Sequence, residues 1–212
     1  VFPESYPELA AEDIRTAVFR MDMAEELSKE AVRQNKRVHI HIKLDTGMSR
    51  IGFQPGEASV REVERIHTLP GIRIEGLFTH FSKADESDKD FTELQYRRYM
   101  EFNDALKQRG IEIPVRHCAN SGAVINYPEM HLDMVRPGLL LYGVFPAKET
   151  AGLDLRPAMS LYSRVSDVTH HHKGDTISYG RTFTCPRDMR LAVLPVGYAD
   201  GLLRSLSGKG DV

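Results

Sequence analysis

The residues best suited to chemistry lie in one uninterrupted stretch, residues 43–53, which reads KLDTGMSRIGF. Lys43 comes near the end of a β-rich run, where its side chain can lie in the protein interior and an uncompensated charge is costly. From the residues alone, two interpretations stay open. Lys43 is either a buried lysine with a functional role, or the partner of Asp45 in an ion pair, with Arg50 on a solvent-exposed loop.

A second stretch, residues 136–143, reads RPGLLLYG and organises the rest of the chain. It predicts the end of a buried strand followed by a tight turn, because Pro137 has no N–H and Gly138 lets the backbone approach another group closely. Arg136 precedes this turn. Its guanidinium is placed to meet a planar group that is charged or accepts hydrogen bonds.

Polar residues also follow two further β-rich runs. His80 ends one of them, and a lone histidine in that position more often has a structural role. Residues 117–122 read HCANSG, and a small hydroxyl beside a glycine, followed by a helix, suits a phosphate. Cys118 and His117 do not form a thiolate pair, because adjacent strand residues point to opposite faces.

Alternating elements must position these groups. Strands are predicted at residues 13–21, 37–44, 72–78, 115–118 and 134–135. Helices are predicted at residues 23–35, 58–69 and 88–109, with Asp22 as an N-cap, Gly110 after the last helix, and residues 1–9 as a loop. Strand–helix alternation at this spacing predicts an α/β fold of parallel βαβ units. About five strands fit a (β/α)8 barrel without its first three units, and an open doubly wound sheet stays an alternative.

Two placements follow from this architecture. Lys43, His80, Asn120, Ser121 and Arg136 should lie together at the C-terminal ends of the strands. In the second strand, His41 and Lys43 should share one face, and Ile40 and Ile42 should pack against helices on the other.

The chain changes character after Gly143. We predict an α/β domain at residues 1–143, a linker at 144–157 and the start of a mostly β domain at 158–212, with β-like runs at 158–169, 175–179 and 190–195. The chain opens on Val1 and closes in a glycine-marked turn, so we expect an internal fragment of a longer protein.

The composition limits the kinds of binding partner and the cellular location that can be expected. A net charge of −2 gives no reason to expect nucleic acid or an anionic membrane, and no apolar run is long enough to span a bilayer. Two distant cysteines favour a cytoplasmic protein with reduced thiols. Three consecutive histidines, residues 170–172, cannot all face one ion, so no metal site is expected.

Four segments together carry a family resemblance. Residues 43–53 match K-x-D-T-G-M-x-R-x-G-F, residues 117–121 match H-x-A-N-S, residues 178–182 match S-Y-G-x-T, and residues 196–201 read VGYADG. The chain resembles the alanine racemase family, whose cofactor is pyridoxal 5′-phosphate (PLP). The resemblance implies a partial TIM-like barrel, about strands 4–8, followed by the start of a C-terminal mostly β domain.

The resemblance also implies roles for individual residues. The implied catalytic residues are Tyr179, Arg136 and His80. The implied cofactor-binding residues are Asn120, Ser121, Arg136, Gly138 and Leu139. Arg50 and Tyr198 are implied to meet the substrate, and Lys43 is implied to be carbamylated.

The parent protein is expected to interconvert L- and D-alanine through an external aldimine, with a lysine and Tyr179 as the two bases. The lysine that forms the Schiff base belongs to a K-A-x-A-Y-G-H-G motif that lies outside this chain, so the chain alone is expected to be inactive. Tyr179 would come from the neighbouring subunit of a homodimer. Alternatives are a serine or broad-specificity amino-acid racemase of the same fold, or a non-catalytic PLP-binding or interaction domain.

Overall fold

The computed structural model describes residues 1–146 and 153–209. The chain divides into two compact units, Val1–Ala158 and Met159–Val212. The finer division with a linker at residues 144–157 stays a prediction, and residues 147–152 of that linker lie outside the described residues. Among the described helices, none has both the length and the apolar character that crossing a membrane requires.

The first unit is built on a four-stranded parallel sheet, which confirms the predicted α/β class. Its strands, in spatial as well as chain order, are β1 (Thr16–Val18), β2 (Val38–Lys43), β3 (Ile72–Phe78) and β4 (Val115–His117). The helices are α1 (Tyr6–Ala11), α2 (Met21–Arg33), α3 (Glu57–His67), α4 (Asp90–Gln108), α5 (Ser121–Asn126) and α6 (Gly138–Leu141).

The core lies between the sheet and helices α2 to α4. Val38, Ile40 and Ile42 alternate along β2 and are fully buried or nearly so, as expected for one face of a strand. Tyr99 of α4 is also fully buried, and its hydroxyl donates to the Leu77 carbonyl of β3 at 2.8 Å. Gly110, with φ of 76°, follows α4 as predicted, and its N–H donates to the Lys107 carbonyl.

The N-terminal predictions need correction. Residues 1–9 were expected to form a loop, but they contain most of α1. Pro7 lies in the first turn of that helix, where a missing N–H costs nothing. Helix α2 begins two residues earlier than predicted, with Arg20 at the N-cap. Asp22 therefore lies in the first turn, where its charge still favours the helix dipole.

The predicted strand at residues 134–135 is wrong. The two backbone hydrogen bonds towards β4 come from the residues that flank this segment, from Asp133 N to Arg116 O at 3.1 Å and from Arg136 N to Ala119 O at 2.9 Å. Pro137 has no N–H with which to extend a ladder.

The stretch after Arg136 is not the end of a buried strand. It forms α6, in which Leu139 is 49% and Leu141 72% exposed. The close backbone approach occurs at Gly143, with φ of 72°, where an added Cβ would overlap the Arg156 carbonyl. Gly138 is not crowded, since an added Cβ there would meet nothing within 4 Å.

The second unit is mostly β, as predicted. Strand β5 (Asp167–His171) pairs antiparallel with β8 (Met189–Val193), and β6 (Thr176–Ile177) pairs antiparallel with β7 (Phe183–Thr184). The run predicted at residues 158–169 is strand only from Asp167. The run predicted at 175–179 ends at Ile177, because Tyr179–Arg181 form a 3-10 helix.

Candidate active site

The groups predicted to do chemistry in the first unit lie at one edge of the parallel sheet. Lys43 is the last residue of β2, His80 follows β3, and Asn120 and Ser121 follow β4. Arg136 reaches the same edge, where Nη2 donates to the Thr79 carbonyl at 2.7 Å and lies 3.4 Å from His80 Nδ1. The predicted clustering at the C-terminal ends of the strands is therefore confirmed.

A chain of hydrogen bonds leads from Arg136 into the interior. Arg136 Nη1 donates to His117 Nδ1 at 2.7 Å, His117 Nε2 lies 2.8 Å from His41 Nδ1, and His41 Nε2 lies 3.4 Å from Glu75 Oε2. Arg15 Nε donates to the same carboxylate oxygen at 3.0 Å. We call Arg136, His117, His41 and Glu75 the histidine chain.

The two ends of the histidine chain determine where its protons lie. A guanidinium only donates hydrogen bonds and an ionised carboxylate only accepts them. His117 Nδ1 must therefore accept from Arg136, so that Nε2–H donates to His41. His41 in turn accepts at Nδ1 and donates Nε2–H to Glu75. Both imidazoles are held neutral in the same tautomer. The hydrogen bond from Arg15 lowers the pKa of Glu75 and keeps it ionised.

Aromatic packing confirms the predicted faces of β2. The Phe78 ring stacks on His117 with centroids 4.9 Å apart, and Lys43 Nζ and Arg136 Cζ lie 5.5 and 5.3 Å from the Phe78 centroid. His41 and Lys43 therefore share this face, opposite Ile40 and Ile42.

Cys118 points away from His117, as predicted. Its thiol donates to the Met130 carbonyl at 3.1 Å, and burial raises its pKa to about 12. The thiol is therefore an inert core group, and the two neighbours form no catalytic pair.

A β-bulge brings Glu75 and His41 together. The pairing of β2 with β3 shifts after Ile40, which lies opposite Ile74, whereas His41 lies opposite Gly76. Glu75 is thus the extra residue of the bulge. Gly76 is required beside it, because a Cβ at that position would overlap the His41 imidazole.

The variant Gly76→Ala should therefore destabilise the full-length protein by ~1–3 kcal/mol, the usual cost of overpacking. The added methyl group would push His41 away from His117. The free energy of unfolding, measured in urea, checks this. The same change in a His41→Ala background should cost clearly less, because the ring is gone, and equal costs in both backgrounds would contradict the assignment.

Positive charge accumulates at this edge. Burial lowers the pKa of Lys43 to about 8, with Arg136 and Arg50 adding to the effect and Asp45 opposing it. Burial and then the charge of Arg136 lower the pKa of His80 to about 4. Lys43 Nζ donates to the Leu44 carbonyl at 2.8 Å. The edge therefore suits an anionic ligand.

Burial, followed by the charge of Arg136, lowers the pKa of His117 to about 3. Because the folded-state pKa values of His117 and His80 lie below the ordinary value near ~6.5, the unfolded chain binds more protons in acid. Stability should be fully present above pH ~6.5 and fall as the pH decreases towards 3, by up to ~1.4 kcal/mol per pH unit for each group. The variant His80→Gln should flatten this slope. The exposed His67→Gln should not, and an equal flattening by both would contradict the prediction.

The loop that carries Arg50 is closed by a carboxylate. Asp45 accepts hydrogen bonds from the backbone N–H groups of Gly47, Ser49 and Arg50 at 3.0–3.1 Å. Burial raises the pKa of Asp45, but these donors outweigh that effect and the pKa lies below its ordinary value. Asp45 thus shapes the loop, which argues against a role limited to pairing with Lys43, whereas Arg50 is solvent-exposed, as the alternative interpretation expects.

The residues after β4 form a second part of this edge. Asn120 caps α5, with Oδ1 accepting from Ala123 N at 3.1 Å, and its Nδ2 donates to the Phe81 carbonyl at 3.0 Å. Its side chain is therefore engaged in holding the turn. Ser121 Oγ accepts from Leu140 N at 3.4 Å, which places the start of α6, with Gly138 and Leu139, beside the serine.

The two predicted tyrosines lie in the second unit. Tyr179 begins the 3-10 helix Tyr179–Arg181 and is 93% exposed, and Tyr198 begins the 3-10 helix Tyr198–Asp200 and is 70% exposed. Both phenols are therefore available to groups outside this unit. Among the described residues, no group of three or more His, Cys, Asp or Glu could hold a metal ion.

Sequence reasoning missed several residues that support this edge. Glu75 gave no signal, because its place depends on a bulge that alternation does not reveal. Gln95 looked like an ordinary helix residue, although it is fully buried and reaches two loops of the site. His41 was not missed, since the period of two predicted it on the same face as Lys43.

Comparisons with known proteins agree with this geometry. Residues 1–146 match the family model "Alanine racemase, N-terminal domain", and residues 158–212 match "Alanine racemase, C-terminal domain". A protein named alanine racemase from Clostridium tetani is 46% identical over 200 residues, which cover 93% of this chain and 52% of that protein. One from Desulforamulus reducens is 42% identical over 214 residues, covering 100% and 58%.

A solved structure gives the same result. The alanine racemase of Clostridium difficile 630 superposes with a TM-score of 0.86 at 36% identity, covering 96% of this chain and 54% of that one. The chain thus spans about half the length of the relatives it matches. On these matches and on the geometry of its sheet edge, the chain belongs to the alanine racemase family.

Proposed function

We propose that the full-length protein is a PLP-dependent racemase that interconverts L- and D-alanine. The proposal rests on the position of Arg136. Two protein acceptors hold its guanidinium at the C-terminal edge of the sheet, where it can only donate hydrogen bonds. We also propose that the four parallel strands are part of a (β/α)8 barrel and that the protein is cytoplasmic.

The edge fits PLP in its charge and in its unused donors. Nη1 and Nη2 of Arg136 have protein acceptors, whereas Nε donates to no acceptor among the described residues. Ser121 Oγ borders the start of α6, and the space beside Gly138 is open. In the proposal, Arg136 meets the pyridine nitrogen, and Ser121 with the N–H groups of Gly138 and Leu139 holds the phosphate. The N–H of Gly138 donates to the Arg136 carbonyl at 3.0 Å, so it would exchange that hydrogen bond for one to the phosphate.

Asn120 would act on the phosphate indirectly in this scheme, through the turn that it caps. The lysine that binds PLP covalently lies outside this chain. When bound, PLP supplies an electron sink that stabilises negative charge at the substrate Cα.

Substrate binding and proton transfer would fall to separate residues of this chain. Arg50 would bind the substrate carboxylate through charge-assisted hydrogen bonds. Tyr179, from the neighbouring subunit of a homodimer, would move the Cα proton on one face, and the lysine outside this chain would do so on the other. His80, kept neutral by its low pKa, would link Arg136 to Tyr179, and Tyr198 would border the substrate entrance.

Arg136 also sets the character of the reaction. A guanidinium donates a hydrogen bond without surrendering its proton, so the acceptor it meets stays unprotonated. Such a partner leaves negative charge on Cα only briefly, which favours reprotonation at Cα.

Lys43 is proposed to be carbamylated. With its pKa lowered to about 8, a larger fraction of its amine is neutral at physiological pH and can react with carbon dioxide. The carbamate would replace a buried cation by an anion between Arg50 and Arg136, where a negative group is favoured.

The test uses the full-length protein with PLP. L-alanine and L-serine are supplied separately, and both enantiomers are measured by chiral chromatography. D-alanine at a higher kcat/KM than D-serine supports the proposal. Faster conversion of serine would favour a serine or broad-specificity racemase. PLP binding without conversion of either amino acid would show a non-catalytic binding protein and overturn the proposal.

A further inference from the structure

Gln95 joins two loops of the candidate site from the middle of α4. Its side chain is fully buried and uses both ends of its amide. Nε2 donates to Thr46 Oγ1 at 3.3 Å and to the His80 carbonyl at 3.2 Å. Oε1 accepts from the backbone N–H of Ser82 at 2.9 Å and from its hydroxyl at 3.1 Å. Because the nitrogen and the oxygen of this buried amide both have hydrogen-bond partners, a substitution that removes them should be costly in stability.

The two loops carry different parts of the site. Thr46 belongs to the loop of Arg50, which Asp45 closes from inside. His80 and Ser82 belong to the loop after β3, where Arg136 approaches the His80 imidazole. Thr46 Oγ1 also lies 2.7 Å from Thr79 Oγ1, at the point where the two loops touch.

One face of α4 is devoted to the loop of Arg50. Phe91, Gln95 and Arg98 follow one another at helical spacing, so they lie on one stripe. A Cβ at Gly47 would come within 2.8 Å of the Phe91 ring, and Arg98 Nη1 donates to the Thr46 carbonyl at 3.0 Å. Within this stripe, Gln95 also reaches the loop of His80.

We propose that Gln95 is a positioning residue that sets the distance between Arg50 and His80. It touches neither substrate nor cofactor and acts by fixing the side chain of Thr46 and the backbone at His80 and Ser82. The inference rests on the proposed function, in which Arg50 binds the substrate carboxylate and His80 is part of the proton-transfer network. The side-chain amide of Gln95 would then keep the substrate-binding arginine at a fixed distance from the proton-transfer network.

The first test is Gln95→Met in the full-length holoenzyme, a change that conserves volume and removes every hydrogen bond. KM for alanine should rise about tenfold and kcat should fall about tenfold, because misplacement of binding groups by an ångström has effects of this order. Thr92→Val is the matched control. Thr92 is equally buried in the same helix but bonds to neither loop. That variant should keep both constants near wild type.

The second test is Gln95→Glu, followed as a ratio to wild type across pH. The ionised carboxylate of this variant can accept from Ser82 but cannot donate to Thr46 or to the His80 carbonyl. Protonation restores one donor. The kcat/KM ratio of this variant to wild type should therefore rise as pH falls, whereas the ratio for Gln95→Met should stay flat.

The outcomes separate this inference from the proposed function. Absence of alanine racemisation by the wild-type protein would defeat the proposed function. An active wild type with Gln95→Met and Thr92→Val indistinguishable in KM and kcat would overturn the positioning role alone. So would a Gln95→Glu ratio that does not depend on pH. If Gln95→Met is too unstable to assay, the pH dependence of Gln95→Glu decides.

Discussion

Replacing Arg136 by glutamate in the full-length protein is expected to lower alanine racemisation by at least ~100-fold, the scale seen when a preorganised donor is removed. A carboxylate beside the ring nitrogen would also raise the pKa of that nitrogen, because an opposite charge favours the protonated form. Negative charge on Cα would then persist longer and allow protonation elsewhere. The ratio of pyruvate formed to alanine racemised should therefore rise.

The histidine chain adds a second consequence to Arg136→Glu. With a carboxylate at each end, its three hydrogen bonds need three protons, whereas two neutral imidazoles supply only two. Either a histidine or the new carboxyl group must therefore take up a proton, and burial disfavours a charged His117. Arg136→Gln is the matched control, since its amide can still donate to His117. If Arg136→Glu racemises like wild type and forms no more pyruvate, Arg136 does not meet the cofactor.

The variant Tyr179→Phe is expected to lower racemisation by ~10²–10⁴-fold, the range typical for loss of one general acid–base group. The phenol is exposed in its own unit, so its removal should leave the stability of that unit nearly unchanged. The decisive signature lies in exchange of the Cα proton with deuterated solvent. Exchange should persist for one alanine enantiomer through the remaining base and be lost for the other.

Tyr198→Phe serves as the control for this experiment, because Tyr198 is expected to border the substrate entrance without moving the proton. It should retain exchange of both enantiomers. If Tyr179→Phe slows exchange of L- and D-alanine equally, Tyr179 is not the base of one face.

The regular elements around the site could be predicted from sequence. Strand β3 was predicted at its observed bounds, and β2, α3 and α4 within two residues at each end. These segments have clear periods of 2 or 3.6, and proline or glycine follows the two helices, so local preference and tertiary packing agree. The polar residues after them fell at one edge because parallel strands all run in the same direction.

The parts that could not be predicted depend on tertiary contacts. Leu139 and Leu141 look like a buried strand, but Pro137 interrupts the ladder and they form an exposed short helix. The place of Glu75 follows from a register shift that only the pairing with β2 reveals. Gln95 was indistinguishable from the polar surface of an amphipathic helix until its loop partners were known.

The histidine chain is proposed to hold Arg136 as a donor, so that the ring nitrogen of PLP stays unprotonated. The most direct measurement is the nitrogen-15 chemical shift of PLP labelled at that nitrogen and bound to the full-length protein. We expect the shift of an unprotonated pyridine nitrogen accepting a hydrogen bond, at every pH at which the protein is folded. In Arg136→Glu the shift should move to that of a protonated ring. A protonated pyridinium in the wild-type protein would contradict the claim.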